Sequence, residues 1–410
     1  MIKIALIRLD SGRHDKVRFE KDRREFMALL SEEFTLLETH PGDQAEADLQ
    51  VVFIASGGSE EKFRRIYPAL AKPVILLADG KHNSLPAALE ISSWVRQQGA
   101  AAKIVHGEGS LIAGRLKRLA VFQRTRRALA GPIGLIGEPS DWLIASIVDR
   151  AAVNALWGTE FIDIPLEEVI GRKPEGAEVA AITREWAGQA KKLDGVDEAA
   201  LQAAACLVPT LKAVYARHRL RAATLRCFSL IERLQTSGCL ALAQLNDEGM
   251  ICGCEGDVPA VFSMLLLHAL TGEIPFMANP AAVDCRSNRV VLAHCTVPRR
   301  AVSAYRLQTH FETGLGVALS GDFAAGPATV FKAGNRDLGS YFVSAAEVLP
   351  GRPQPGLCRT QVHLHLQEPV EYFLKAPLAN HHLLIRGDHV SLINDFMSYS
   401  GANKVVIGEK

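Results

Sequence analysis

The chain has 410 residues, 48% of them hydrophobic and 22% charged, and its 46 basic and 45 acidic residues leave a formal net charge of +1. That balance excludes nucleic acid as the main partner, because phosphate recognition needs a clear basic excess. The composition also excludes a disordered or fibrous chain, and at about 100–200 residues per domain the length predicts two or three domains.

The opening MIKIALIRL is an apolar run of strand length without a signal-peptide layout. Together with eight cysteines scattered through apolar surroundings, it predicts free thiols in a reducing cytoplasm. EKDRREFMALLSEEF has helical periodicity and DLQVVFIAS reads as a buried strand. A helix over 60–70, the strand PVILLAD, a helix over NSLPAALEISSWVRQQG ended by Gly99 and the strand AAKIVHG follow. Continuous apolar strands alternating with helices predict a parallel sheet covered on both faces. Its ligand-contacting loops belong at strand C-termini. Ser56 to Glu60 and Asp79 to Ser84 lie there, and Ser56 to Glu60 and Lys81 to Ser84 have no obvious partner in their own domain. The basic clusters Arg115 to Arg118 and Arg124 to Arg127 fall on a predicted helix and read as a solvated face. No apolar run reaches the roughly 18 residues of a membrane span, so no membrane partner is expected.

GPIGLIGEPSDWLIAS begins a second alternating series, with IGLIG as its strand and Ser140-Asp141 as the N-cap of the next helix. EFIDIP, a helix from about Asp197 to Leu220, AATLRCF and MICGC continue it. After about residue 290 the pattern changes. RVVLAHCTV, ATVFKAG, YFVSAAEVL and RTQVHLHLQ read as short strands between Gly/Pro turns, closed by a helix over GDHVSLINDFMSYSG and a last strand, KVVIG. The expected fold class is α/β: two Rossmann-like parallel-sheet domains, 1–130 and 131–290, followed by a β-rich, barrel-like domain, 291–410.

CEGDVPAVFSMLLLHALTG places Glu255 and Asp257 between an apolar strand and an apolar helix. Burying unpaired carboxylates costs several kcal/mol, so a metal, a basic residue or solvent must compensate them. Both acids would also suit the start of a helix, whose dipole favours negative charge. That reading leaves His294, in VVLAHCTV, and the pair His381-His382, in LANHHLLIRGDH, unexplained. His363 and His365 alternate along RTQVHLHLQ as an outer strand face. Cys252-x-Cys254 has an unusual spacing for zinc and reads as buried thiols.

In this order, with IPFMANP after the helix, these motifs resemble the L-fucose/L-arabinose isomerase superfamily. The resemblance implies one divalent ion per chain, Mn²⁺ or Mg²⁺, held by Glu255, His294 and His382; Glu255 is also the candidate base, and without a second acid the catalytic proton relay falls to Asp257, Asp284 or bound water. His381 falls where that family contacts substrate. Where the family has a second acidic ligand this chain has Asn279, and Asp284 is the nearest acid; both enter the expected substrate site. The implied reaction is aldose–ketose interconversion of a small carbohydrate through an ene-diol, an intramolecular oxidoreduction that needs a base and a Lewis acid. An amide at 279 neither accepts a proton nor offsets the ion's charge, so weak activity on free arabinose and fucose is expected. A non-catalytic sugar-binding relative and a carbon–carbon bond enzyme on the same fold are the alternatives. The resemblance also implies a homotrimer or homohexamer.

Overall fold

The computed structural model describes residues 1–12, 16–41, 46–172, 174 and 176–406. It divides into two compact units, 1–125 and 126–410.

In the first unit five strands, β1 (Ile2–Leu9), β2 (Phe34–Glu38), β3 (Leu49–Ile54), β4 (Val74–Leu77) and β5 (Ala102–Val105), form a parallel sheet in the order β2-β1-β3-β4-β5. The central strands are mainly apolar because both faces are covered: Val52, Ile54 and Leu76 join Ala88, Ile91 and Val95 of the helix Ser84–Gln97 in one core. The expected elements are present; the helix of EKDRREFMALLSEEF runs Lys16–Ser31, and β2, which follows it, is a further strand that the sequence reading does not include. The two loops expected to lack partners have them. Gly57 N–H donates to His82 O at 2.9 Å between the loops, Ser84 Oγ donates to Asp79 Oδ1 at 2.9 Å within the second, and Lys81 Nζ lies 2.7 Å from Asp22 of the helix Lys16–Ser31.

The second unit holds three sheets. β6 (Pro132–Ile136), β7 (Glu160–Ile164), β9 (Ala222–Leu225) and β10 (Ile251–Cys254) make a parallel sheet in the order β10-β9-β6-β7; the short β8 (Leu193–Asp194) lies between β7 and β9 in sequence. No helix starts at Ser140-Asp141. The next one is Arg150–Trp157, capped by Asp149, whose carboxylate accepts the Ala152 N–H. The helix Glu198–His218, capped by Asp197, is long and apolar enough in composition to cross a membrane, a property the run-length reading missed; half of its apolar window is buried within the unit.

The remaining strands are β11 (Phe276–Asp284), β12 (Arg289–His294), β13 (Ala304–Gln308), β14 (Ala318–Asp322), β15 (Gly326–Gly334), β16 (Ser340–Leu349), β17 (Thr360–Leu366), β18 (His382–Arg386) and β19 (Asn403–Lys404). β15, β18, β11, β12, β17 and β16 pair antiparallel in that order, and β15 also pairs with β16, which closes the six into a ring. β19 adds to β16, and the end of the expected last strand, from 407, lies outside the described residues. β13 joins β14 and β8 in a third sheet. The helix Val258–Thr271 is apolar on all sides and buried, and it packs between the parallel sheet and the ring, contacting β9, β10, β15 and β18. The end of β10, the start of this helix and the start of β18 therefore meet, and there the expected residues lie.

Candidate functional site

The chain leaves β10 through Glu255 and Gly256, both left-handed, with φ of +63° and +75°. For a glutamate this conformation costs about 1–2 kcal/mol, a strain that persists only where the surroundings hold it. Two contacts do so. Ser140 N–H donates to Glu255 O at 2.9 Å, and Gly256 packs so closely on the segment after β6 that a Cβ there would lie 2.6 Å from Pro139 Cα. Asp257 then caps the helix, its Oδ1 accepting the Ala260 N–H at 2.9 Å. The turn thus separates the two acids: Asp257 is spent partly on the backbone, while the Glu255 side chain is free to face the interior.

Glu255 Oε1 is approached by two imidazoles, His294 Nε2 at 3.7 Å and His381 Nε2 at 3.5 Å. Their rings are 5.4 Å apart. Both Nε2 atoms are buried, and neither has a hydrogen-bond partner among the described residues. Burial would raise the Glu255 carboxyl, but the two imidazoles more than offset it and hold it far below the ordinary range. Behind His381, Asp257 Oδ2 accepts from Nδ1 at 2.9 Å, and Lys332 Nζ lies 3.8 Å from Asp257 Oδ1. Burial works against the His381 imidazolium, yet its bond to Asp257 and the proximity of Glu255 push it up to about 9. Asp257 is held down at about 2 despite burial, by Lys332 and then His381. Lys332 is fully buried, and its ammonium makes no hydrogen bond among the described residues. Two carboxylates against one ammonium leave this cluster negative, a condition that only a cation or a protonated imidazole relieves.

Of the expected residues, Glu255, Asp257, His294 and His381 converge, but His382 does not. Neighbouring residues entering a strand point to opposite faces, so only one of the pair can face Glu255. His382 turns away into a cage of Phe342, Tyr372 and Phe373, with Nδ1 2.7 Å from Asn380 O and Nε2 3.0 Å from Tyr372 Oη. Burial pushes it down to about 3. Asn279 lies beside the pair, accepting from the Asn380 amide at 2.8 Å. Asp284 is exposed at the other end of β11, about 16 Å further along the strand at about 3.3 Å per residue, and is held by Ser287 and Arg286 N–H.

Three neighbours were not foreseen. The indole N–H of Trp142 donates to Glu255 Oε2 at 2.8 Å. Its signal was position, since the segment follows a parallel strand whose C-terminus faces ligands. Lys332 was visible as a lysine inside the apolar run ATVFKAG. Cys254 lies with Glu255 and His294 in a group whose ligand atoms are all within 4.8 Å of one another. Its Sγ is 2.8 Å from that of Cys227, and all eight cysteines are free thiols.

Cys254, Glu255 and His294 offer ligand atoms that all lie within 4.8 Å of one another, a donor set that fits a divalent cation. His381 Nε2 lies 3.5 Å from Glu255 Oε1 but outside that group, and a carboxylate behind it fixes its ring, as ligating histidines require. A cavity of about 710 Å³ lies alongside, lined by Ala145, Ile147, Pro259, Arg336 and Ala379, but Glu255 and the two imidazoles do not line it.

No family model matches this chain. It is similar to the sulfoquinovose isomerase of Clostridium sp. (strain MSTE9), 30% identical over 165 residues, which is 37% of this chain and 36% of the relative. It is also similar to the sulfoquinovose isomerases of Priestia aryabhattai and Priestia megaterium (strain ATCC 12872 / QMB1551), 23% identical over 218 residues, 49% of this chain and 46% of each relative. The matches thus span between about a third and a half of these relatives' length, and all three are sugar isomerases by name.

Proposed function

We propose that this chain is a divalent-metal-dependent aldose–ketose isomerase acting on a small carbohydrate, with Glu255, His294 and His381 as ligands. The observation that carries the reading is the convergence of two buried, unpartnered imidazole nitrogens on one oxygen of a buried carboxylate. Two imidazoles beside one carboxylate suit Mn²⁺ better than Mg²⁺. When bound, such an ion polarises the substrate's carbonyl and hydroxyl oxygens. The similarity to sulfoquinovose isomerases makes sulfoquinovose, a sulfonated aldohexose, the first substrate to test, ahead of free arabinose or fucose.

The chain's own residues divide the remaining work. Asp257 orients His381 and keeps its Nε2 toward Glu255. Glu255 is held so far below the ordinary range that it is a poor proton acceptor while the imidazoles face it.

Metal analysis of the purified protein tests the reading directly, with one Mn²⁺ per chain expected. Solvent-proton exchange beside the carbonyl without carbon loss separates isomerisation from carbon–carbon cleavage. Binding of ion and sugar without turnover would mark a non-catalytic relative. The assembly proposed with this function is a homotrimer or homohexamer, and light scattering that shows a monomer rejects it.

A further inference from the structure

Trp142 is 53% exposed, although the carboxylate it bonds is buried. An indole left in water forgoes the large burial term that makes tryptophan useful in a core. Its position is nonetheless fixed. Besides the bond to Glu255 Oε2, its ring meets Phe228 edge-on, with centroids 4.9 Å apart at 84°. Arg226 ties down the same segment, donating to Pro139 O at 2.8 Å and pairing with Asp141 at 3.2 Å. A rigidly held aromatic ring thus stands in the open within one hydrogen bond of the proposed ion ligand.

We propose that Trp142 is a positioning and specificity residue of this site. Its N–H occupies Glu255 Oε2, so that only Oε1 is offered to the cation. Its exposed ring is the platform on which the C–H face of a carbohydrate lies while the sugar's oxygens meet that cation. Sugars present an apolar C–H face beside a polar rim, and aromatic walls with a few placed polar groups are how small-molecule sites fix such ligands. The proposal rests on the reading of Glu255, His294 and His381 as a cation site.

Two variants separate its halves, because Trp142→Phe keeps a ring and loses the N–H, while Trp142→Ala loses both. Mn²⁺ alone is titrated first, then sulfoquinovose, glucose and fructose at saturating Mn²⁺, with calorimetry and tryptophan emission as readouts. Trp142→Phe should weaken Mn²⁺ about tenfold, as expected for a group behind a ligand, and leave sugar affinity at saturating Mn²⁺ near the parent's. Trp142→Ala should show the same metal loss and a further sugar loss of about tenfold. The parent's emission should change with Mn²⁺ and with sugar, and those changes should vanish in Trp142→Phe, a signature that a merely structural residue would not give. Parental Mn²⁺ affinity in Trp142→Phe overturns the positioning half. Parental sugar affinity in Trp142→Ala, or a parent responding to none of the three sugars, overturns the platform. Mn²⁺ affinity as high in Glu255→Gln as in the parent shows instead that the cation site itself is misplaced.

Discussion

His381→Ala should lose Mn²⁺ binding by about 100-fold or more, and His382→Ala should keep it. The two residues are adjacent in sequence and opposite in environment. His381 points Nε2 at Glu255 Oε1 from 3.5 Å and is braced by Asp257 at 2.9 Å. His382 has both ring nitrogens bonded inside an aromatic cage. A ligand removed takes a bond and its oriented lone pair, whereas groups behind a ligand typically cost 10–100-fold. Equilibrium dialysis with Mn²⁺ on both variants and on Glu255→Gln is sufficient. If His382→Ala empties the site and His381→Ala does not, the ligand set read from the fold is reversed. Glu255→Gln should behave like His381→Ala, because the amide keeps the shape and removes the charge.

His382 also makes the protein sensitive to acid, with a sign fixed by its cage. Its folded value is about 3 and the ordinary value is 6.5. The unfolded chain therefore takes up a proton first as pH falls, so stability is full above about 6.5 and declines below it. At 1.36 kcal/mol per unit, about 2–3 kcal/mol should be gone by pH 4.5. His310, lowered by burial to about 4, adds in the same direction. His381 has the opposite sign: raised to about 9, it contributes stability that is present below 6.5 and lost between 6.5 and 9. Urea unfolding of the parent and of His382→Gln at pH 7.5 and 4.5 isolates the term, since His381 and His310 are common to both. The parent should lose about 2–3 kcal/mol more than the variant over that interval. Equal losses would place a titrating, solvated imidazole at 382.

Much of the architecture was legible because it is written in local periodicity. Apolar runs of strand length separated by helical patterns gave the parallel sheets, and short runs after residue 290 gave four of the six ring strands, β12, β15, β16 and β17. Asp257 as a helix cap was legible for the same reason, since a cap acts within three residues of itself. Ser140-Asp141 shows the limit of such signals. The dipeptide has the right chemistry for a cap, but Ser140 bonds the Glu255 turn and Asp141 pairs with Arg226.

Chain order alone supplied the chemical groups: a carboxylate at the end of β10, a histidine closing β12, a histidine pair opening β18, and no acid at 279. Long-range packing selected which of them meet. The partners of Glu255 lie 113 residues away at Trp142, and Asp257 meets His381 across 124 residues. Distances of that kind are set by how the parallel sheet and the ring close on the helix Val258–Thr271, not by local pattern. The same closure chose His381 over His382, because strand geometry lets one imidazole of the pair face Glu255 and sends the other into the aromatic core. It also left Asp284 exposed at the far end of its strand, where no change of side chain alone would bring it to the site.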